Sequence, residues 1–99
     1  MCGAPPQDLD LTGVDLSNQA IVAGIISREE APLAGAYVRL LDSSGEFVAE
    51  VPTSATGQYR FFAASGEWTV RVLAPGAQPT DRKVRATTGE IARVDVTVG

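Results

Sequence analysis

A chain of 99 residues with 44% apolar side chains and a formal charge of −4 is one domain with a modest core, burying roughly 65% of the surface its unfolded form exposes. Acids outnumber bases twelve to eight, which argues against a nucleic-acid partner, since polyanions are held by clustered Lys and Arg. Histidine is absent, and that excludes Ser-His-Asp and Cys-His nucleophile arrangements and most zinc and non-haem iron sites, so neither a metal nor another cofactor is expected.

Residues 1–18 are rich in Pro, Gly and Asp and read as a flexible N-terminal arm. Leu9, Leu11, Val14 and Leu16 give part of that arm apolar side chains to lay against the body. No basic segment followed by an apolar stretch marks a secretory signal. Cys2 is the single cysteine, so no internal disulfide forms. The longest apolar run, residues 20–27, is too short to span a bilayer. These features predict a cytoplasmic protein with no membrane association.

The body, residues 19–99, alternates short apolar segments with turn signals, the pattern of a sandwich or barrel. A strand over 20–27 is followed by a turn at 28–32. Residues 36–42 place Ala36, Val38 and Leu40 on one face and Tyr37, Arg39 and Leu41 on the other. After a tight turn at 43–45, residues 46–51 send Phe47, Ala49 and Val51 inward and Glu46 and Glu50 outward. Pro52 opens a loop to Gly57. Tyr59, Phe61 and Ala63 then alternate with Gln58 and Arg60. Residues 67–73 set Trp68, Val70 and Val72 against Thr69 and Arg71. A Pro/Gly loop over 74–80 leads to a polar strand at 81–87, a turn at 88–90 and a last strand at 91–98 with Val94, Val96 and Val98 inward. The prediction is an all-β, seven-stranded Greek-key β-sandwich without helix. Tyr59, Phe61, Trp68, Val70, Val38, Leu40 and Val94 should share its core.

Two features carry chemistry or recognition. Cys2 sits beside small residues at the chain end, and removal of Met1 would set an α-ammonium next to its thiol, lowering the thiol pKa and favouring the nucleophilic thiolate. Tyr37, Arg39, Arg60, Phe62 and Arg71 fall on outward positions. Because successive strand side chains alternate, Phe61 and Phe62 cannot both be core, and an outward Phe among arginines has the composition of a protein interface. Lys83 and Asn18 invite comparison with a Lys–Asn isopeptide bond, but Lys83 lies on the polar strand and such a bond needs a buried lysine.

Three stretches resemble the carboxypeptidase-regulatory-like, transthyretin-like domain: Ala31-Pro32-Leu33-Ala34-Gly35-Ala36-Tyr37-Val38-Arg39-Leu40, Thr53-Ser54-Ala55-Thr56-Gly57-Gln58-Tyr59-Arg60-Phe61, and Gly66-Glu67-Trp68-Thr69-Val70-Arg71-Val72. Trp68 stands where that family usually has Tyr. Within this, Arg39-Leu40-Leu41-Asp42-Ser43-Ser44 and Phe61-Phe62-Ala63-Ala64, with Met1-Cys2, resemble the small actinobacterial SseC-like proteins, encoded beside a thiosulfate sulfurtransferase of the rhodanese type. The resemblance implies a transthyretin-like fold and a non-catalytic accessory role in sulfur metabolism. The chain would bind a rhodanese through the outward residues, with Cys2 as sulfur acceptor. The alternative is a plain interaction module without redox chemistry, including one that self-associates.

Overall fold

In a computed structural model, which describes residues 19–99, the chain forms two β-sheets packed face to face. The arm, and with it Cys2 and Asn18, lies outside the described residues. The strands are β1 (Ala20–Arg28), β2 (Ala31–Pro32), β3 (Tyr37–Leu41), β4 (Phe47–Pro52), β5 (Gln58–Ala63), β6 (Gly66–Leu73), β7 (Thr80–Ala86), β8 (Ile91–Arg93) and β9 (Val96–Val98). One sheet is built on β1, which pairs antiparallel with β5 and β2 and parallel with β8 and β9. The other has the order β4-β3-β6-β7. Among the described residues no helix is long and apolar enough to cross a membrane.

The alternation read from the sequence builds the core. Ala20, Val22 and Ile26 from β1 and Tyr59 and Phe61 from β5 pack against Val38, Leu40, Val70 and Val72 of the facing sheet, with Val96 and Val98 closing one end. Trp68 and Val94 point into this cluster but are only partly buried. Trp68 lies near the end of its strand, where its indole N–H donates to the Ala64 carbonyl at 2.9 Å.

Three expectations are corrected. Residues 28–32 are a hairpin rather than a simple turn: Arg28 pairs with Ala31 across Glu29 and Glu30, whose φ values of 52° and 67° suit the tight reversal such two-residue loops make. Phe47 faces outward. The register of β4 slips beside Leu40/Leu41, so that Leu40 opposes Ala49 while Leu41 opposes Phe47. The extra residue, Val48, moves Phe47 to the solvent face, as a β-bulge does.

The third correction is that the last strand is two strands. Ile21 pairs with Ile91 and Ile26 with Val96, so the register is unchanged across Val94 and Asp95 although the ladder is broken there. The Val94 N–H donates to the Ala23 carbonyl at 2.8 Å. The Val94 carbonyl then turns toward Gly24, where a Cβ would lie only 1.8 Å from its oxygen. The Tyr59 hydroxyl donates to that carbonyl at 2.6 Å. On the outer side, the Asp95 carboxylate accepts from the Ile25 N–H at 2.9 Å and from Arg93 Nε at 3.1 Å. The Val94 N–H and carbonyl and the Ile25 N–H are thus met at the break, as buried backbone requires. Burial raises the Tyr59 pKa, with Asp95 adding to the effect and Arg93 opposing it, so the phenol stays protonated and remains a donor.

Gly24→Ala should cost about 3 kcal/mol or more, because the added methyl overlaps backbone that cannot swing aside. Tyr59→Phe, which keeps the ring and leaves the Val94 carbonyl unpaired, should cost about 1–2 kcal/mol. Urea unfolding monitored by circular dichroism checks both, and equal effects would contradict this account of the break. Phe61→Ala should cost about 3–5 kcal/mol and the half-buried Trp68→Ala roughly half as much.

Candidate functional site

Outward positions on a two-layer sandwich fall on two surfaces that point in opposite directions. Tyr37, Arg39 and Arg71 lie together on the outer face of the β4-β3-β6-β7 sheet: Tyr37 and Arg39 are two apart on β3, and Arg39 is directly opposite Arg71 on β6. Arg60 and Phe62 lie on the outer face of the β1 sheet, because the chain crosses between sheets in passing from β4 to β5. Phe62 and Tyr37, expected on one exposed face with at least one of the three arginines, therefore lie on opposite faces, and the five outward residues are split three and two.

The first of these faces is organised in rows. Glu50, Arg39, Arg71 and Asp81 stand side by side across four strands. Arg39 Nε meets Glu50 Oε2 at 2.7 Å, and Arg71 grips Asp81 with Nε at 2.8 Å and a terminal nitrogen at 3.0 Å. The hydrogen bonds from Arg71 hold the Asp81 carboxyl below the usual carboxylate range. Next to this row run Phe47, Leu41, Thr69 and Lys83, and on its other side Pro52, Tyr37 and Leu73. Phe47 is 60% exposed and Tyr37 50%, and the Arg39 guanidinium lies 5.6 Å from the Phe47 ring centre. The face thus carries a charged band between two exposed aromatics. At one end an open depression is lined by Ser43, Glu67, Trp68, Thr69 and Lys83.

The second face carries an apolar row, Phe62–Ile21–Ile91, beside a row of Arg60, Ala23 and Arg93. The Arg60 guanidinium lies 5.6 Å from the Phe62 ring centre. Phe47, Ile21 and Ile91 were missed in the sequence. The signal for Phe47 was available, since Phe47-Val48 is an adjacent apolar pair just as Phe61-Phe62 is. Lys83 is exposed on the outer face of β7, and among the described residues no three His, Cys, Asp or Glu side chains converge as a metal-holding group.

The residues that carry the resemblance are used by the backbone. Thr53 exchanges bonds with Ala36, accepting its N–H on Oγ1 at 3.1 Å and donating its own N–H to the Ala36 carbonyl at 2.9 Å. Ser54 Oγ accepts the N–H groups of Thr56 and Gln58. Gly57, at φ 75°, lies so close to β1 that a Cβ would come within 2.4 Å of the Ile26 carbonyl oxygen. These side chains shape the entry to β5.

Comparison with solved structures finds the same fold in proteins of different function. The chain resembles a minor pilin of Streptococcus agalactiae with a TM-score of 0.68 at 12% identity, over 82% of this chain and 44% of the pilin. It resembles catechol 1,2-dioxygenase from Pseudomonas arvilla with a TM-score of 0.65 at 13% identity, over 88% of this chain and 54% of the enzyme. Identities this low show the fold alone. Among sequences, an uncharacterised protein of Mycobacterium tuberculosis is 45% identical over 100 residues, 99% of each chain. An uncharacterised protein of Mycolicibacterium smegmatis is 47% identical over 87 residues, 87% of this chain and 96% of the relative. Residues 2–98 match the model of a family described as a protein of unknown function, DUF1416, and the chain belongs to that family.

Proposed function

We propose that this chain is a non-catalytic, cytoplasmic accessory protein that docks on a protein partner through the outer face of the β4-β3-β6-β7 sheet. One observation carries the reading: Tyr37 and Phe47, both at least half exposed, stand on either side of the ion-paired Arg39 and Arg71 on one sheet face. Exposed aromatics beside arginine are the enriched chemistry of protein interfaces. Because Glu50 and Asp81 already hold the two guanidiniums in place, docking there costs little side-chain ordering. The absence of histidine from the whole chain leaves it without the usual neutral-pH general base.

The partner we propose is a thiosulfate sulfurtransferase of the rhodanese type, a choice supported by the resemblance carried by residues 39–44 and 61–64. Cys2 would then accept sulfur. Its thiolate attacks the outer sulfur of the enzyme's persulfide, the enzyme's S–S bond breaks, a new S–S bond forms on Cys2, and the enzyme cysteine leaves as its thiolate. The exchange is redox-neutral and needs no other reagent.

Titration calorimetry of the full chain with a rhodanese should show binding that weakens at least tenfold in Tyr37→Ser and Phe47→Ser and is unchanged in Phe62→Ser, which lies on the opposite face. Incubation with the rhodanese and thiosulfate should add one sulfur atom to the intact mass of the wild type and none to that of Cys2→Ser. Binding without added sulfur would leave a plain interaction module. No binding would remove the proposed partner.

A further inference from the structure

Lys83 is the only lysine in the sequence, every other basic residue being an arginine, and the ion pairs of its sheet face leave it aside. Arg39 holds Glu50, Arg71 holds Asp81 and Arg85 holds Glu67, each pair joining two neighbouring strands. The residue directly across from Lys83 is instead the neutral Thr69. Two positions away along β7 stand Asp81 and Arg85. The Lys83 charge helps to keep Asp81 ionised, but both Asp81 oxygens are already engaged by Arg71, and Arg85 has the same sign as Lys83. Among the described residues Lys83 makes no ion pair.

What Lys83 does have beside it is space. With Ser43, Glu67, Trp68 and Thr69 it lines an open depression of about 360 Å³. A side chain projecting from another protein fits there, whereas a free small molecule is normally held in a pocket that encloses most of its surface. The hydroxyls of Ser43 and Thr69 are donors available to an incoming oxygen. Glu67, on the same wall, disfavours an anion of multiple charge such as a phosphate group.

We propose that Lys83 is the seat for a carboxylate of the docked partner, an Asp or Glu side chain that enters this depression. The inference deepens the docking reading and rests on it. A partner covering Phe47 also reaches Lys83, because the two share the row Phe47–Leu41–Thr69–Lys83, roughly 14 Å across four strands. Covering strips water from the ammonium, and a desolvated charge left unpaired is costly. The three arginines bring their own carboxylates into the contact, so one negative charge remains for the partner to supply. The partner surface that fits this face is therefore apolar opposite Tyr37 and Phe47 and carries one acidic side chain opposite Lys83.

Carbodiimide coupling, which joins an amine to a carboxylate in contact with it, tests this on the full chain mixed with a rhodanese. Mass spectrometry of the digest should find Lys83 amide-linked to an Asp or Glu of the rhodanese. In calorimetry Lys83→Gln should weaken binding about tenfold and Lys83→Arg, which keeps the charge, no more than about threefold. Arg60→Gln, the same change of charge on the opposite face, should leave binding unchanged. Lys83→Gln should also keep the wild-type urea midpoint, which separates lost binding from lost folding. Binding that Tyr37→Ser weakens and Lys83→Gln does not, with no link at Lys83, would overturn this inference and leave the docking face standing. Equal weakening by Lys83→Gln and Arg60→Gln would overturn it too, by reducing Lys83 to a share of the net charge. No binding by the wild type would remove the docking reading, and this inference with it.

Discussion

The interruption between β8 and β9 is the constraint on which the β1 sheet depends. A parallel partner must follow β1 along its length, and the ladder opens beside Gly24 and Ile25. Three groups from distant parts of the chain close the gap: Gly24 yields the space, the Tyr59 hydroxyl takes the inward carbonyl, and the Asp95 carboxylate takes the outward N–H. The pieces are interdependent. A side chain at position 24 would push Val94 off Tyr59, and a misplaced Val94 would pull Asp95 from Ile25. Because Tyr59 is also fully buried in the core, the closing bond ties the end of the chain to the packing between the sheets.

This arrangement explains why the sandwich was legible in the sequence while its edges were not. Alternation assigns faces, and it did so correctly for Val38, Leu40, Tyr59, Phe61, Val70 and Val72, because burial on one face sets a strand's register. The break at Val94 inserts no residue, so the alternation through Val96 and Val98 is undisturbed and nothing in the pattern marks it. The bulge at Val48 is the reverse case. It does insert a residue, but Phe47, Ala49 and Val51 read as an unbroken alternating set, and only pairing with Leu40 and Leu41 reveals the slip. Sheet membership is likewise invisible in alternation. Arg39 and Arg60 are both outward, and only the crossing from β4 to β5 sends them to opposite sides of the molecule.

The same distinction bears on function. The stretches that carry the transthyretin-like resemblance place Thr53, Ser54 and Gly57 in backbone turns and Tyr59 under Val94, so in this chain they serve the scaffold. A minor pilin and a catechol dioxygenase share that scaffold at 12% and 13% identity, as expected of a fold that hosts many roles. What individualises this chain lies on the two outer faces. One is a braced arginine band between exposed aromatics. The other is an apolar row of Phe62, Ile21 and Ile91 beside Arg60 and Arg93.

The central claim is that the partner is received on the β4-β3-β6-β7 face, and hydrogen exchange of the full chain with and without a rhodanese tests it most directly. Docking as described would slow exchange of amides in β3, β4 and β6 around Tyr37, Phe47 and Arg71, leaving those of β5 and β8 unchanged. Slowed exchange confined to β5, β1 and β8, or none on either sheet at saturating partner, would contradict it.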